Sequence, residues 1–388
     1  MQNKVIIAGC GLSGMITALS LAYYGINSVI IERKNTDDLA FFNDVRTTAL
    51  TATTKNFLNE INIWSDISKI SGNINDIYVV DNKAEDMIHF KSPHVRDELQ
   101  NGEPMGYLVE NNIFKKTLFE LVSNNKLIRV IDNIDYKLKN NNDDGCEIIL
   151  ADGRELLAKL LIICDGFNSL LKQNYFSNII NKNYSQYALT FLVKHEKQHD
   201  GTAVEHFMPS GPFAILPLKD PHTSSVVWTI KYEMKNVLVN MSSEEFTYIL
   251  QENFGNFLGR VSVVSEIGAF PLKACIAKNY FNKKMMLLAD SAHVIHPLAG
   301  QGLNQGIKDI KSLIINILER DISNETLVNY EKERKNDNLI MYEITDKLNM
   351  IFQLSYPVFF ASRQLGFKAI EKISPLKNLL VSYAMGQR

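Results

Sequence analysis

Lys4-Val5-Ile6-Ile7-Ala8-Gly9-Cys10-Gly11-Leu12-Ser13-Gly14 begins as a continuous apolar run and ends as a glycine turn. Lys4–Ala8 suits a strand buried on both faces. Met15–Tyr24 follows with helical apolar spacing, Gly25 stops it, and Asn27–Ile31 reads as a second strand ending in Glu32. This order of strand, glycine turn, helix, strand and acid predicts a dinucleotide-binding βαβ unit. The first glycine permits the tight turn, the second lets a pyrophosphate approach the backbone, and the third lets helix and strand pack. Gly9, Gly11, Leu12, Ser13 and Gly14 are therefore candidate phosphate-site residues, with Glu32 and Arg33 at the ribose end. An acid at Glu32 accepts hydrogen bonds from a ribose and disfavours a 2′-phosphate. FAD and NAD both satisfy this pattern.

A second glycine-rich run lies far downstream, His296-Pro297-Leu298-Ala299-Gly300-Gln301-Gly302-Leu303-Asn304-Gln305-Gly306-Ile307-Lys308-Asp309. A loop entering a helix in this way leaves free N–H groups facing whatever sits in front of it, with the positive end of the helix dipole behind them. Just ahead, Met285–Leu288 predicts a strand that delivers Asp290 to the edge where open α/β sheets bind ligands. Two Asp-Gly pairs receive different readings. Asp152-Gly153 lies between strand-like segments and reads as a hairpin turn. Asp165-Gly166 ends the buried-looking run Leu160–Cys164 and fits a turn or a ligand contact equally well. His293 and His296 read as structural hydrogen-bonders, and no metal site is expected.

The 388 residues are 46% hydrophobic and 22% charged, an ordinary soluble composition long enough for two or three domains. A net charge of -2 gives no electrostatic argument for nucleic acid. Four scattered cysteines read as buried thiols in a reducing compartment. The expected location is the cytoplasm, with peripheral contact at the inner membrane left open.

Taken together, these segments resemble the ubiquinone-biosynthesis hydroxylases, a family of FAD-dependent aromatic monooxygenases. His296–Asp309 resembles the family's signature loop, and Ala289–His293 its flavin-contacting acid motif. Asp165-Gly166 with Ser169 resembles the motif that touches flavin and reduced nicotinamide, and Asp44–Leu50 the stretch whose arginine, Arg46, reaches the flavin chain. Gly106–Asn111, Gly211–Leu218, Tyr330–Arg334, Pro375–Lys377 and Ala384–Gly386 extend the likeness across nearly the whole chain. Lys172 and Asn112 depart from it, standing where arginines are usual.

The resemblance implies an α/β fold: a discontinuous Rossmann-like FAD-binding domain (1–75, 100–178, 270–340), an inserted β-sheet substrate domain (76–99, 179–269) and a C-terminal helical region (341–388). It further implies hydroxylation of a polyprenylated phenol with O2 and NADPH or NADH, through a flavin C4a-hydroperoxide, and leaves room for a biosynthetic complex. Arg46 and Asp290 would hold the ribityl–pyrophosphate chain, Asp165 and Gly166 would contact the flavin, and Pro297 would fix the loop beside the ring. Gly300, Gln301, Gly302, Leu303 and Asn304 would offer N–H donors to its pyrimidine end. No residue can be named as base for the phenol. A flavin-dependent isoprenoid reductase and a non-catalytic flavin-binding scaffold are the competing readings. The aromatic segment Leu348–Phe367 reads as a helix pair packed on the flavin domain, with membrane contact as its alternative.

Overall fold

The computed structural model describes residues 3–81, 87–91, 103–354, 356–373, 375 and 377. Leu376 and Ala384–Gly386, part of the resemblance above, lie outside them.

The first sheet is built on the predicted βαβ unit. Its strands run in the order Phe281–Asn282, Met285–Leu287, Glu155–Ile163, Asn3–Ala8, Ser28–Ile31 and Ile128–Ile131. The five from Met285–Leu287 to Ile128–Ile131 are parallel. Both faces of such a sheet are covered, so its strands are continuously apolar: Val5, Ile6, Ile7, Leu160, Leu161 and Ile162 are all fully buried. Helix Leu12–Tyr23 packs against Gly302–Arg320 on this core. The Asp152-Gly153 pair closes the hairpin that joins Cys146–Leu150 to Glu155–Ile163, with Gly153 at φ +86°.

The second sheet runs His293–Val294, Gly268–Ala277, Ile179–His195, Thr223–Lys231, Gly211–Pro217, Thr202–Met208, Asp76–Asp81 and Met87–Lys91. Strand Gly268–Ala277 straddles the expected boundary at residue 270, because Ala277 still pairs with Ile179 at the far end of the ladder. The back of this sheet packs on helix Ser243–Phe254, whose Phe246, Leu250 and Phe254 meet Phe191 and Trp228. Its front meets the first unit. Ala203 and Leu218 pack on Leu108 and Ile74, and Thr47 shares a 2.8 Å hydrogen bond with Ser225. The fold is thus a Rossmann-like α/β unit joined to a substrate-side β-sheet, followed by helices.

Helix Asn324–Gln353 runs along both units. It starts against Gly302–Arg320 and ends with Phe352 stacked on Phe207 of the second sheet, ring centroids 3.6 Å apart. The last helix, Pro357–Lys372, anchors Arg363 and Gln364 on buried Asp81 at 2.8 and 3.0 Å. The Leu348–Phe367 segment therefore packs on the second sheet, not on the flavin domain as expected. The reason is specific: Phe352 finds an aromatic partner and Arg363 a buried carboxylate there. All four cysteines are buried and unpaired. No helix among the described residues is long and apolar enough to cross a membrane.

Candidate active site

Four parallel strands end at one edge of the first sheet, and each carries a predicted site residue just beyond its last pair. Ala8 pairs with Ile31 and Ile163, and Ile163 with Leu287. Gly9, Glu32, Asp165 and Asp290 follow those ends.

The glycine turn is tied to the neighbouring strand. Gly9 has φ +106°, and a Cβ there would sit 2.8 Å from the Cys164 carbonyl oxygen and the Asp165 Cα. Asp165 is thereby distinguished from Asp152: the backbone of the first motif rests directly on it. The third stretch closes on the same point. A Cβ on Gly306 would meet the Ala289 Cβ at 2.7 Å and the Ser13 Oγ at 3.6 Å. Ala289 adopts φ +55°, and its N–H donates to Asp309 Oδ2 at 3.3 Å. Three sequence-distant stretches are thus in van der Waals contact.

In front of them the chain leaves room. Gly11, Gly166 and Gly302 have no chain atom within 4 Å of an added Cβ. Helix Leu12–Tyr23 has no side-chain cap, and neither has Gly302–Arg320, so N–H groups of both first turns are free. Both carboxylate oxygens of Asp165 are buried without a hydrogen bond, as is Arg33 Nε. Burial raises the Asp165 carboxyl above its ordinary range, opposed by nearby Ser169, Arg33 and Lys172. Asp290 is surrounded by protein at longer range and yet has an exposed side chain, which places it in a cleft. Burial raises its carboxyl, while His293, Arg46 and Lys172 pull it down. These side chains come to the cleft from separate elements. Free N–H donors, orphaned acids and unfilled glycine positions are what a phosphate, a polyol chain and a planar ring together require, so the residues fit FAD.

Glu32 accepts from the N–H of Cys10 at 2.8 Å and of Lys34 at 3.0 Å, bracing the glycine turn. Arg33 lies over the Tyr136 ring at 5.0 Å. Arg46 makes a two-pronged pair with Asp44, at 2.8 and 2.7 Å, and lies 5.1 Å above the Phe270 ring. Pro297 is exposed at the start of the signature loop, Gly300 turns at φ +62°, and Gln301 is buried. The following helix begins at Gly302, which puts Gly302 and Leu303 in its open first turn. The side chain of Asn304 is committed elsewhere. It accepts from Thr51 N and Thr54 Oγ1 and donates to the Ala49 and Gly300 carbonyls, so only its backbone faces the site.

Behind the loop, Asp309 joins His293 Nε2 at 2.6 Å and Arg334 Nε at 2.8 Å, all buried. These two partners hold its carboxyl down to about 2 against burial. His293 is structural, as read. His296 is also buried, but both its ring nitrogens lack partners, and burial lowers it to about 4.

Sequence reasoning missed Asn111. Buried at the start of its helix, it accepts from Thr48 and donates to Asp44 at 3.3 Å, so it braces the Asp44–Arg46 pair. Its neighbour Asn112 is exposed and only accepts from the N–H of Ile113 next to it. Lys172 is buried beside Cys275, within electrostatic reach of Asp165 and Asp290. No local pattern distinguishes Asn111 from Asn112; only the cross-sheet contact to Asp44 does.

Residues 2–338 match the family model described as FAD binding domain. A ubiquinone hydroxylase of Rhodospirillum rubrum is 32% identical, with 98% of this chain and 89% of that protein aligned. The chain belongs to the ubiquinone-biosynthesis hydroxylase family of FAD-dependent monooxygenases. The family also contains a 3-demethoxyubiquinol 3-hydroxylase of Escherichia coli, 28% identical over 99% of this chain and 98% of that one. The fold is shared with a p-nitrophenol 4-monooxygenase of Pseudomonas putida, at a TM-score of 0.80 and 18% identity, covering 99% and 98% of the chains. The family's members are enzymes that use FAD, with NAD(P)H as reductant.

Proposed function

We propose that this protein hydroxylates the aromatic ring of a polyprenylated phenol on the route to ubiquinone, consuming O2 and NAD(P)H. End-to-end similarity to ubiquinone hydroxylases carries the reading. The three converging stretches supply the place for the cofactor. Gly9, Gly11, Leu12, Ser13 and Gly14 hold the pyrophosphate, Glu32 and Arg33 the adenosine end, and Arg46, Asp165, Gly166 and Asp290 the polyol chain. Pro297, Gly300, Gln301, Gly302, Leu303 and Asn304 shape the backbone around the ring. The N–H groups opening Gly302–Arg320 would stabilise negative charge on a ring held in front of them, where a fixed dipole helps most. When bound, FAD supplies the hydride chemistry and the activation of O2. Residues 1–75, 100–178 and 270–340 make up the FAD-binding unit, and the second sheet over 76–99 and 179–269 the substrate side.

Deletion of the gene, followed by mass identification of the accumulated quinone precursor, tests the substrate class. The expected species lacks one ring oxygen; an unchanged quinone pool refutes it. Oxygen uptake matched to product formation separates hydroxylation from isoprenoid reduction, which consumes none.

A polyprenyl tail also needs a lipid-facing exit. Tyr356, Val358 and Leu365 at the last helix are 70%, 73% and 70% exposed, an apolar face that fits peripheral contact with the inner membrane. Hydrogen exchange with and without anionic liposomes reads this out: added protection over 356–373 supports contact, and unchanged protection removes it. Protection gained only in the presence of other biosynthetic proteins points to a complex instead.

A further inference from the structure

Glu205 lies on strand Thr202–Met208, opposite Ala214 on one side and Val79 on the other. Strand alternation fixes its direction. Val204 and Met208 belong to the back, against the cluster under Ser243–Phe254. Ala203 packs forward with Leu108 and Ile74, and Phe207 forward onto Phe352. Glu205, between them, points toward the first unit. It is densely surrounded by protein and yet keeps a partly accessible surface on that face. It makes no hydrogen bond and no ion pair among the described residues, and burial alone raises its carboxyl to about 7.

Its cross-strand row continues through Ala214 and Val227 to Thr190, whose buried hydroxyl also lacks a partner. Two orphaned polar groups thus end an apolar floor roughly 14 Å long, at about 4.8 Å per strand. The next position is Gly268, whose missing side chain leaves the Phe270 ring, and Arg46 above it, as the floor's far neighbour. A floor of this kind, beneath the loop that carries Gly300, suits a ring with few polar atoms.

We infer that Glu205 accepts the proton of the substrate's phenol hydroxyl. The inference rests on the hydroxylase reading above. A half-buried carboxyl among apolar neighbours and without a partner gains when a ligand supplies the missing hydrogen bond. In an apolar pocket the fitting donor is a neutral O–H. The phenol O–H bond breaks heterolytically, its electron pair stays on oxygen as phenolate, and the proton bonds to a Glu205 carboxylate oxygen. Nothing is oxidised or reduced in this step. The phenolate pushes electron density onto the ring carbons ortho to it, which prepares them for electrophilic oxygen, and the proton returns as product leaves. Among the charged groups on the elements around Glu205, Asp81 pairs with Arg363, Lys55 with Glu103 and Arg46 with Asp44, and Asp76 shares a hydrogen bond with His89.

The test uses FAD-loaded enzyme with a short-chain prenylated phenol and compares wild type, Glu205→Gln and Glu205→Asp. Wild-type hydroxylation is expected to rise as pH increases through about 7, where the carboxylate form appears. Glu205→Gln should lower the hydroxylation rate roughly 100- to 1000-fold and flatten that profile. Its FAD content should be unchanged, and its thermal midpoint equal or higher, since an unpaired, half-buried acid is gone. Glu205→Asp should restore part of the rate together with the pH dependence, which a space-filling role would not produce. Wild-type rate and profile in Glu205→Gln overturn the inference alone. Wild-type enzyme that oxidises NAD(P)H but hydroxylates no phenol overturns the hydroxylase reading, and this one with it.

Discussion

Replacing Gly11 by alanine separates folding from cofactor binding, because the space beside this residue is empty of protein. Its backbone, at φ -79° and ψ -178°, is allowed to any residue, and no chain atom lies within 4 Å of the new methyl. Losing a glycine N-cap costs about 0.5–1 kcal/mol, while reduced freedom of the unfolded chain returns roughly 0.4–1 kcal/mol. Stability of the flavin-free protein should therefore stay within about 0.5 kcal/mol of wild type. The methyl does occupy the approach path of the pyrophosphate to the helix N-terminus. Loss of one or two charge-assisted hydrogen bonds there costs about 2–4 kcal/mol, roughly a 30- to 700-fold weaker FAD affinity. Gly9→Ala is the contrasting variant. At φ +106° and 2.8 Å from the Cys164 carbonyl oxygen, its methyl brings backbone strain and overpacking of about 2–5 kcal/mol, with or without flavin. Urea unfolding of the flavin-free proteins and fluorescence titration with FAD measure the two effects separately. Gly11→Ala with wild-type FAD affinity would refute the placement of the pyrophosphate in this turn.

Asp290→Asn should leave the thermal midpoint of flavin-free protein unchanged while lowering bound flavin, because its side chain faces a cleft and not the core; full flavin occupancy by absorbance would exclude it from the site. Asp309→Asn should cost about 1.5–3 kcal/mol in urea unfolding at pH 7, since it removes one of the two carboxylates that hold the buried Arg334 and leaves it only Asp337. The depressed carboxyl of Asp309 contributes stability present above its ordinary value of 3.8 and lost as pH falls toward about 2, so the acid melt of Asp309→Asn should lack that last loss. The buried, neutral His296 works at higher pH. Its folded value of about 4 lies below the ordinary 6.5, so stability is fully present above 6.5 and declines as pH falls to about 4. That gap corresponds to roughly 3 kcal/mol, and His296→Phe, which keeps the ring contact with Tyr184, should remove the decline in unfolding curves at pH 7, 5 and 4. Equal slopes for both proteins would show that the imidazole is not the titrating group.

Much of this molecule is written in local chemistry. The glycine turn between Ala8 and Leu12, the hairpin at Asp152-Gly153 and the loop entering a helix after His296 each follow from backbone freedom at glycine and from the period of apolar residues. Both signals act over a few residues and need no partner. The meeting of those motifs at one sheet edge follows from parallel pairing, which sets Ile31, Ala8, Ile163 and Leu287 in register. Tertiary packing decided the rest. Asp165 and Asp152 carry the same dipeptide, and only the rest of Gly9 against Cys164 and Asp165 separates a site residue from a turn. Asn304 was read for its backbone N–H, and only the folded chain shows that Thr51, Thr54, Ala49 and Gly300 take up its side chain. The C-terminal aromatics went to the second sheet because Phe207, far back in the chain, offered a ring and Asp81, 282 residues before Arg363, a carboxylate. Glu205 sits in an ordinary alternating strand, and which face meets the flavin-binding unit is set by Ala203, Phe207 and their distant neighbours. Backbone conformation is encoded near at hand, whereas the fate of a side chain depends on which atoms the whole chain folds up against it.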